Sequence, residues 1–205
     1  MPQTLACPNC GAPLHIESAF TTFLVCGYCG QSLTVRDTGV DLAGKTAKLA
    51  DYPSRLSVGA QGQIKGQAFK TLGRVRYENS AGFWDEWFLQ LGNQRVGWLE
   101  EDEGELTLVF KSQLTSPLPP FEQVHAGSFI PVGQVQMFVS EKGQAQVVGA
   151  EGQLAMTAPP GHAIRYVDGN AGGKALRLVL DEQSITLHTG QPLEFEDVVV
   201  GESGG

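Results

Sequence analysis

Four cysteines carry the clearest chemistry in this chain, at Cys7, Cys10, Cys26 and Cys29, and there are no others. Each pair has the form Cys-x2-Cys and is followed by glycine, as Cys7-Pro8-Asn9-Cys10-Gly11 and Cys26-Gly27-Tyr28-Cys29-Gly30. Two intervening residues let a tight turn aim both sulfurs at one point, and the glycine permits the positive φ such a turn needs. Four thiolates close a tetrahedral shell with no open position, which is the donor set of a structural zinc site. One structural Zn2+ is therefore expected. The competing reading is two disulfides, which require an oxidising compartment. Met1-Pro2-Gln3-Thr4 offers neither a basic n-region nor an apolar h-region, so a cytoplasmic protein is expected.

A β unit positions these sulfurs. Leu14-His15-Ile16, Thr21 to Val25 and Ser32 to Val35 read as short strands around two turns. So small a unit depends on its metal for stability. His15 is read as an ordinary strand residue, because four sulfurs already fill the shell. A zinc ribbon is expected over 1–36. The pattern G-x4-G-K-[ST] then recurs in full at Gly39 to Thr46. A phosphate-binding loop needs a parallel βαβ setting, which the rest of the chain does not offer, so the match is read as coincidence. Residues 37–54 are expected to be a linker with one short helical turn.

From Arg55 the pattern is almost entirely β. Val75 and Tyr77 share one strand face and Arg74 and Arg76 the other. The two arginines are expected to meet Glu86 across the pair. Trp87, Leu89 and Leu91 define a second strand, Arg95 to Leu99 a third and Glu105 to Phe110 a fourth. The acidic run Glu100-Glu101-Asp102-Glu103 is expected as the turn between the last two. Ser116-Pro117-Leu118-Pro119-Pro120 cannot continue a central strand and reads as a connector. A hairpin from Val132 to Val148 is expected, turning at Glu141-Lys142-Gly143. Val58 to Ile64 resembles Val148 to Leu154 with five of seven positions identical, suggesting duplication at an offset near 90 residues. The expected architecture is all-β: the zinc ribbon, then a body of two related barrel-like units over 55–116 and 117–200, and a flexible tail at 201–205.

Several function classes are disfavoured. A net charge of −8 makes the chain a poor binder of nucleic acid, and the cysteine segment carries no basic cluster. No run approaches the roughly 18 apolar residues of a membrane helix. The histidines are scattered, no cysteine is spare, and Asp85 and Glu86 alternate in facing, so a non-enzymatic protein is expected. Trp84 at a strand start, with Asp85, Glu86 and the Glu100, Glu101, Asp102, Glu103 run, is expected to form an exposed surface for a basic partner.

The motifs also carry a resemblance. Cys7 to Leu14 with Cys26 to Gly30 is similar to the N-terminal zinc ribbons of many bacterial proteins. Val58-Gly59 with Gly62, Leu72 to Val75, Trp84 to Trp87, Gly97 to Leu99, Ser140 to Gly143 and Gly149 to Leu154 resemble the bacterial domain of unknown function 4178. That resemblance implies an accessory role, since such proteins tend to be encoded near membrane proteins and near proteins resembling polyamine aminopropyltransferases. The expected function is a scaffold or adaptor for another protein, a membrane-bound one among the candidates. The alternative is an accessory or catalytic subunit of a polyamine- or lipid-modifying system. A deep pocket lined by Asp, Glu and aromatics would favour that alternative.

Overall fold

The computed structural model describes residues 3–37, 39–46, 48–181 and 184–201. Among them there are strands and two short 3-10 turns, at Phe121–Gln123 and Phe195–Asp197, and no α-helix. Among the described residues no helix is long and apolar enough to cross a membrane. The all-β expectation holds.

The body is a ring. β7 (Gln67–Glu78), β8 (Phe83–Leu91), β9 (Val96–Asp102) and β10 (Glu105–Ser112) form one antiparallel meander. β12 (Val135–Leu154), β13 (Ala163–Ala171), β14 (Lys174–Leu180) and β15 (Ile185–Leu193) form the other. β10 pairs with β15, and β12 pairs with β7, so the two barrel-like units join into one closed eight-stranded barrel. Closure removes the free edges that each meander alone would expose. The two meanders correspond strand for strand, whereas the resembling segments do not. Residues 61–64 are the separate strand β6 (Gln61–Ile64), while 148–154 are the end of β12.

β12 makes closure possible by changing partners. Residues 138–146 pair with β13, and 146–152 pair with β7. Register shifts between Val139 and Glu141 and between Val147 and Gly149 bend it. The expected turn at Glu141-Lys142-Gly143 is therefore strand. The hairpin reverses instead beside Gly133, between β11 (Phe129–Val132) and β12. Two strand glycines admit the close packing: a Cβ at Gly169 would overlap the Phe138 carbonyl, and one at Gly190 the Leu108 carbonyl.

Alternation sorts the side chains into an interior and two outer covers. Val75, Tyr77, Trp84, Phe88, Trp98 and Tyr166 belong to the interior cluster. Trp87, Leu89, Leu99 and Leu108 pack outside beneath Leu56, Ile64 of β6 and Val198 of β16 (Val198–Val200). Met137, Val167, Leu176 and Leu187 pack outside with Val124 and Ile130.

The N-terminal unit holds β1 (Gln3–Ala6), β2 (Pro13–Ile16), β3 (Phe23–Val25) and β4 (Gln31–Arg36). The expected linker begins instead with β5 (Gly39–Lys45), paired to β4. The described part of residues 46–54 is irregular, with no helical turn, and Ala47 lies outside the described residues. An extended β5 cannot cradle a phosphate, in keeping with the reading of that match as coincidence. Of the expected tail, Gly201 is described and bonds Gln61, while residues 202–205 lie outside the described set.

This unit is joined to the barrel, not strung beside it. β3 pairs with the last two residues of β12, and Phe23, fully buried, enters the barrel's interior cluster. The Gln153 side chain accepts from the Glu17 amide at 2.9 Å and the Thr21 hydroxyl at 3.1 Å, and donates to the His15 carbonyl at 3.1 Å. Lys70 pairs with Glu17 across the junction. Gln153→Ala strands these partners, and urea denaturation should show a loss of about 1–3 kcal/mol.

Candidate metal centre and barrel cavity

The four cysteines come together as their spacing requires. Their sulfurs all lie within 4.8 Å of one another, and the group could hold a metal ion. Cys7 and Cys29 are 3.8 Å apart, as are Cys10 and Cys26. A disulfide needs about 2.05 Å, so these are four separate sulfurs. Each knuckle is a hydrogen-bonded turn: the Gly11 amide donates to the Cys7 carbonyl and the Gly30 amide to the Cys26 carbonyl. Gly11 and Gly30 take φ of 74° and 70°, the conformation expected of them. His15 sits in β2 with its Nδ1 bonded to the Thr4 hydroxyl, away from the ligand role.

The expected acidic surface is largely rearranged. Trp84 is only 6% exposed, and its ring stacks on Tyr77 at 5.4 Å within the barrel. Asp85 and Glu86 are also buried. The register explains this: Arg76 lies opposite Asp85, and Glu86 lies opposite Val75. Asp85 thus faces outward and receives Arg76 at 2.6 and 2.8 Å, while Glu86 faces inward. The expected pairing of the two arginines with Glu86 is replaced by pairing with Asp85 and, for Arg74, Glu151. Residues 50–54 cover this outer network. Ala50 accepts from Arg76, Ser54 donates to Glu101, and Tyr52 meets Phe83 edge-on at 4.9 Å. The acidic run is mostly strand, since Glu100, Glu101 and Asp102 end β9. Glu103, with φ 48°, and Gly104 make the turn.

Inside the barrel lies a charged centre. Asp168, Arg177 and His188 stand opposite one another across β13, β14 and β15, and Glu86 stands opposite Glu100 across β8 and β9. Arg177 binds Asp168 through two hydrogen bonds of 2.7 and 2.8 Å. Its Nη1 reaches over the lumen to Glu86 at 3.0 Å and to Glu100. One guanidinium therefore meets three carboxylates. Burial, reinforced by the neighbouring carboxylates, pushes Glu86 up and lifts Glu100 to about 8, with Arg177 opposing both. Burial lowers His188 to about 4, helped by Arg177 and Lys111, so this imidazole is neutral at neutral pH.

Beside this centre is a cavity of about 270 Å³. Its lining brings Glu100, Asp102, Glu105, Glu141 and Asp168 together with Arg177, Trp84 and Tyr166. The Tyr166 hydroxyl donates to Glu141 at 2.5 Å and accepts from Asn79 at 2.9 Å. Asp102 and Glu105 are exposed and form the rim. The sequence reading missed Arg177, Glu105, Glu141 and Tyr166 as site residues. Leu176-Arg177-Leu178 gave no signal of this: alternation says only that the arginine faces away from the leucines, and it is the packing of both leucines outside the barrel that turns Arg177 inward.

Family comparison covers the barrel. The model of a domain of unknown function (DUF4178) matches residues 57–195, from just before β6 to just after β15. No curated protein and no solved structure matches the chain.

Replacing Arg177 by Met leaves the three carboxylates without their cation, at an expected cost of about 3–5 kcal/mol at pH 8. Glu100 binds its proton more tightly folded than unfolded, so ionising it costs stability as pH rises from its ordinary range through about 8. Without Arg177 that cost grows. Urea denaturation of the Arg177→Met variant against the parent should show a smaller deficit at pH 6.5 than at pH 8.

Proposed function

From a chain that belongs to the DUF4178 family, we propose a non-enzymatic binding protein of the cytoplasm that receives an alkylammonium group in the acid-lined mouth of its barrel. The observation that carries this is the cavity, where five carboxylates meet one arginine. The excess of negative charge favours a cation, and the aromatic rings in the lining suit an ammonium with a hydrocarbon stem. A volume of about 270 Å³ is below the usual range for drug-sized ligands and fits a single extended chain end.

In the adaptor reading, the ammonium is a lysine side chain of another protein, a membrane-bound one among the candidates. The acidic rim formed by Asp102 and Glu105 would steer such a partner toward the cavity. A second reading is an accessory subunit of a polyamine-handling system. A cavity lined by Asp, Glu and aromatics is the feature expected to favour this second reading over an adaptor, since carboxylates and aromatics around a partly enclosed cavity suit a free amine. Lysine-bearing peptides against free diamines, compared by calorimetry, separate the two.

The metal we assign to the four cysteines is Zn2+, in a structural role. A tetrahedron with zinc–sulfur bonds of about 2.3 Å has edges of about 3.8 Å. The separations of 3.8 Å between Cys7 and Cys29 and between Cys10 and Cys26 agree with it. Four thiolates leave no position for a substrate, which suits a staple that stabilises the small N-terminal unit. Elemental analysis should find one zinc per chain, and its absence would sink the assignment.

Cation binding should depend on pH. Glu100, raised to about 8, must ionise to attract the ligand fully. A permanently charged quaternary ammonium keeps the ligand's own charge fixed during the test. Its affinity, followed by tryptophan fluorescence, should rise several-fold between pH 6.5 and 8.5. In Glu100→Gln that rise should shrink. No binding at any pH would overturn the proposal.

A further inference from the structure

A larger groove lies between the N-terminal unit and the barrel, apart from the charged cavity. Its volume is about 690 Å³. That is within the roughly 300–1,000 Å³ of small-molecule sites, which occur preferentially where two units meet. Leu14, Leu24 and Val25 line it from the N-terminal side, and Val58, Leu72 and Ala150 line it from the barrel. The second knuckle supplies Cys26, Gly27, Tyr28 and Gly30 to the same lining.

The polar groups in this lining are unequally occupied. Glu17 is paired with Lys70, and Glu151 with Arg74 at 2.9 Å. Lys48 is exposed and makes no ion pair among the described residues. The Thr71 hydroxyl is buried with no hydrogen-bond partner, which is costly for a polar group. The groove therefore combines apolar walls with one uncompensated cation.

We propose that this groove is a second ligand site, for an amphipathic anion with an apolar body and one acidic head. Lys48 takes the head, and the leucine and valine walls take the body. The site is also governed by the metal. Four of its lining residues belong to the second cysteine knuckle, whose shape the metal fixes. Removing the metal releases that wall. By thermodynamic reciprocity, an occupied groove must strengthen metal binding by the same factor. This inference rests on the metal reading of the cysteines and is independent of the cation cavity.

The test uses the metal-loaded full chain and 1-pyrenebutyrate, an aromatic body carrying one carboxylate, followed by fluorescence anisotropy. Saturable binding of one probe per chain is expected. Lys48→Glu and Val58→Asp, both at exposed positions, should each weaken it about tenfold or more. Neutral 1-pyrenebutanol should bind less tightly than the carboxylate. Chelation should weaken probe binding at least tenfold while near-ultraviolet circular dichroism still reports a folded barrel. Saturating probe should in turn raise metal affinity. Absence of saturable binding, or equal affinity of the Lys48→Glu variant, would overturn the ligand site. Equal probe affinity with and without metal, with metal content verified by elemental analysis, would overturn its control by the metal.

Discussion

Arg177 reaches across the barrel lumen, and much of the interior depends on that one span. Without it the inner faces of β8, β9 and β13 would bring Glu86, Glu100 and Asp168 together in a largely buried interior. A lone buried carboxylate is expensive, and three together are more so. Arg177 offsets part of this cost and ties β14 to the wall opposite. It does so incompletely, since one positive charge faces three acids. The remainder is absorbed by protons, which is why Glu86 and Glu100 hold theirs above the ordinary carboxylate range. On the proposed reading, the bound cation takes the place of those protons. The cavity lies where such a cation could enter.

The second organising element is the cluster of cysteines. It holds a unit too small to sustain its own core, yet the cluster is not the unit's only support. Phe23 is buried among barrel residues, and Gln153 binds three groups of the N-terminal segment. The cysteine cluster, which could hold a metal ion, thus gathers the knuckles, while the barrel supplies the missing apolar burial. Each covers a deficiency of the other, and their junction is a recess with its own chemical character.

The parts of this arrangement that a sequence can carry are the local ones. The Cys-x2-Cys spacing was informative because two intervening residues close a hydrogen-bonded turn that brings both sulfurs of a pair to one point. Alternation in β7 put Val75 and Tyr77 on the inner face and Arg74 and Arg76 on the outer one. What alternation cannot supply is register. The Thr71/Gly73 irregularity sets Arg76 against Asp85, and Glu86 falls opposite Val75. Trp84 looked exposed because it begins a strand among acids, but barrel closure turned that strand's inner face into core. Arg177 meets Glu100 at a sequence separation of 77, a distance that no local pattern spans. The turn expected at Glu141 failed for a related reason: Glu-Lys-Gly suits a reversal, yet in β12 it lies at a bulge where the strand bends toward a new neighbour.

The segment from Gly39 to Lys45 acquires a different meaning once its place is known. It resembles a phosphate loop, but it is β5, which ends the large sheet on one side as β16 does on the other. An end strand offers unpaired amides and carbonyls to any other chain, the usual route to fibrillar self-association. Its composition counters this. Gly39 and Gly44, at φ 150° and 109°, disrupt a regular edge, and Asp41 and Lys45 place charge along it. Glycines and a lysine that could have held a nucleotide instead make this border of the sheet a poor template for a second copy of the chain.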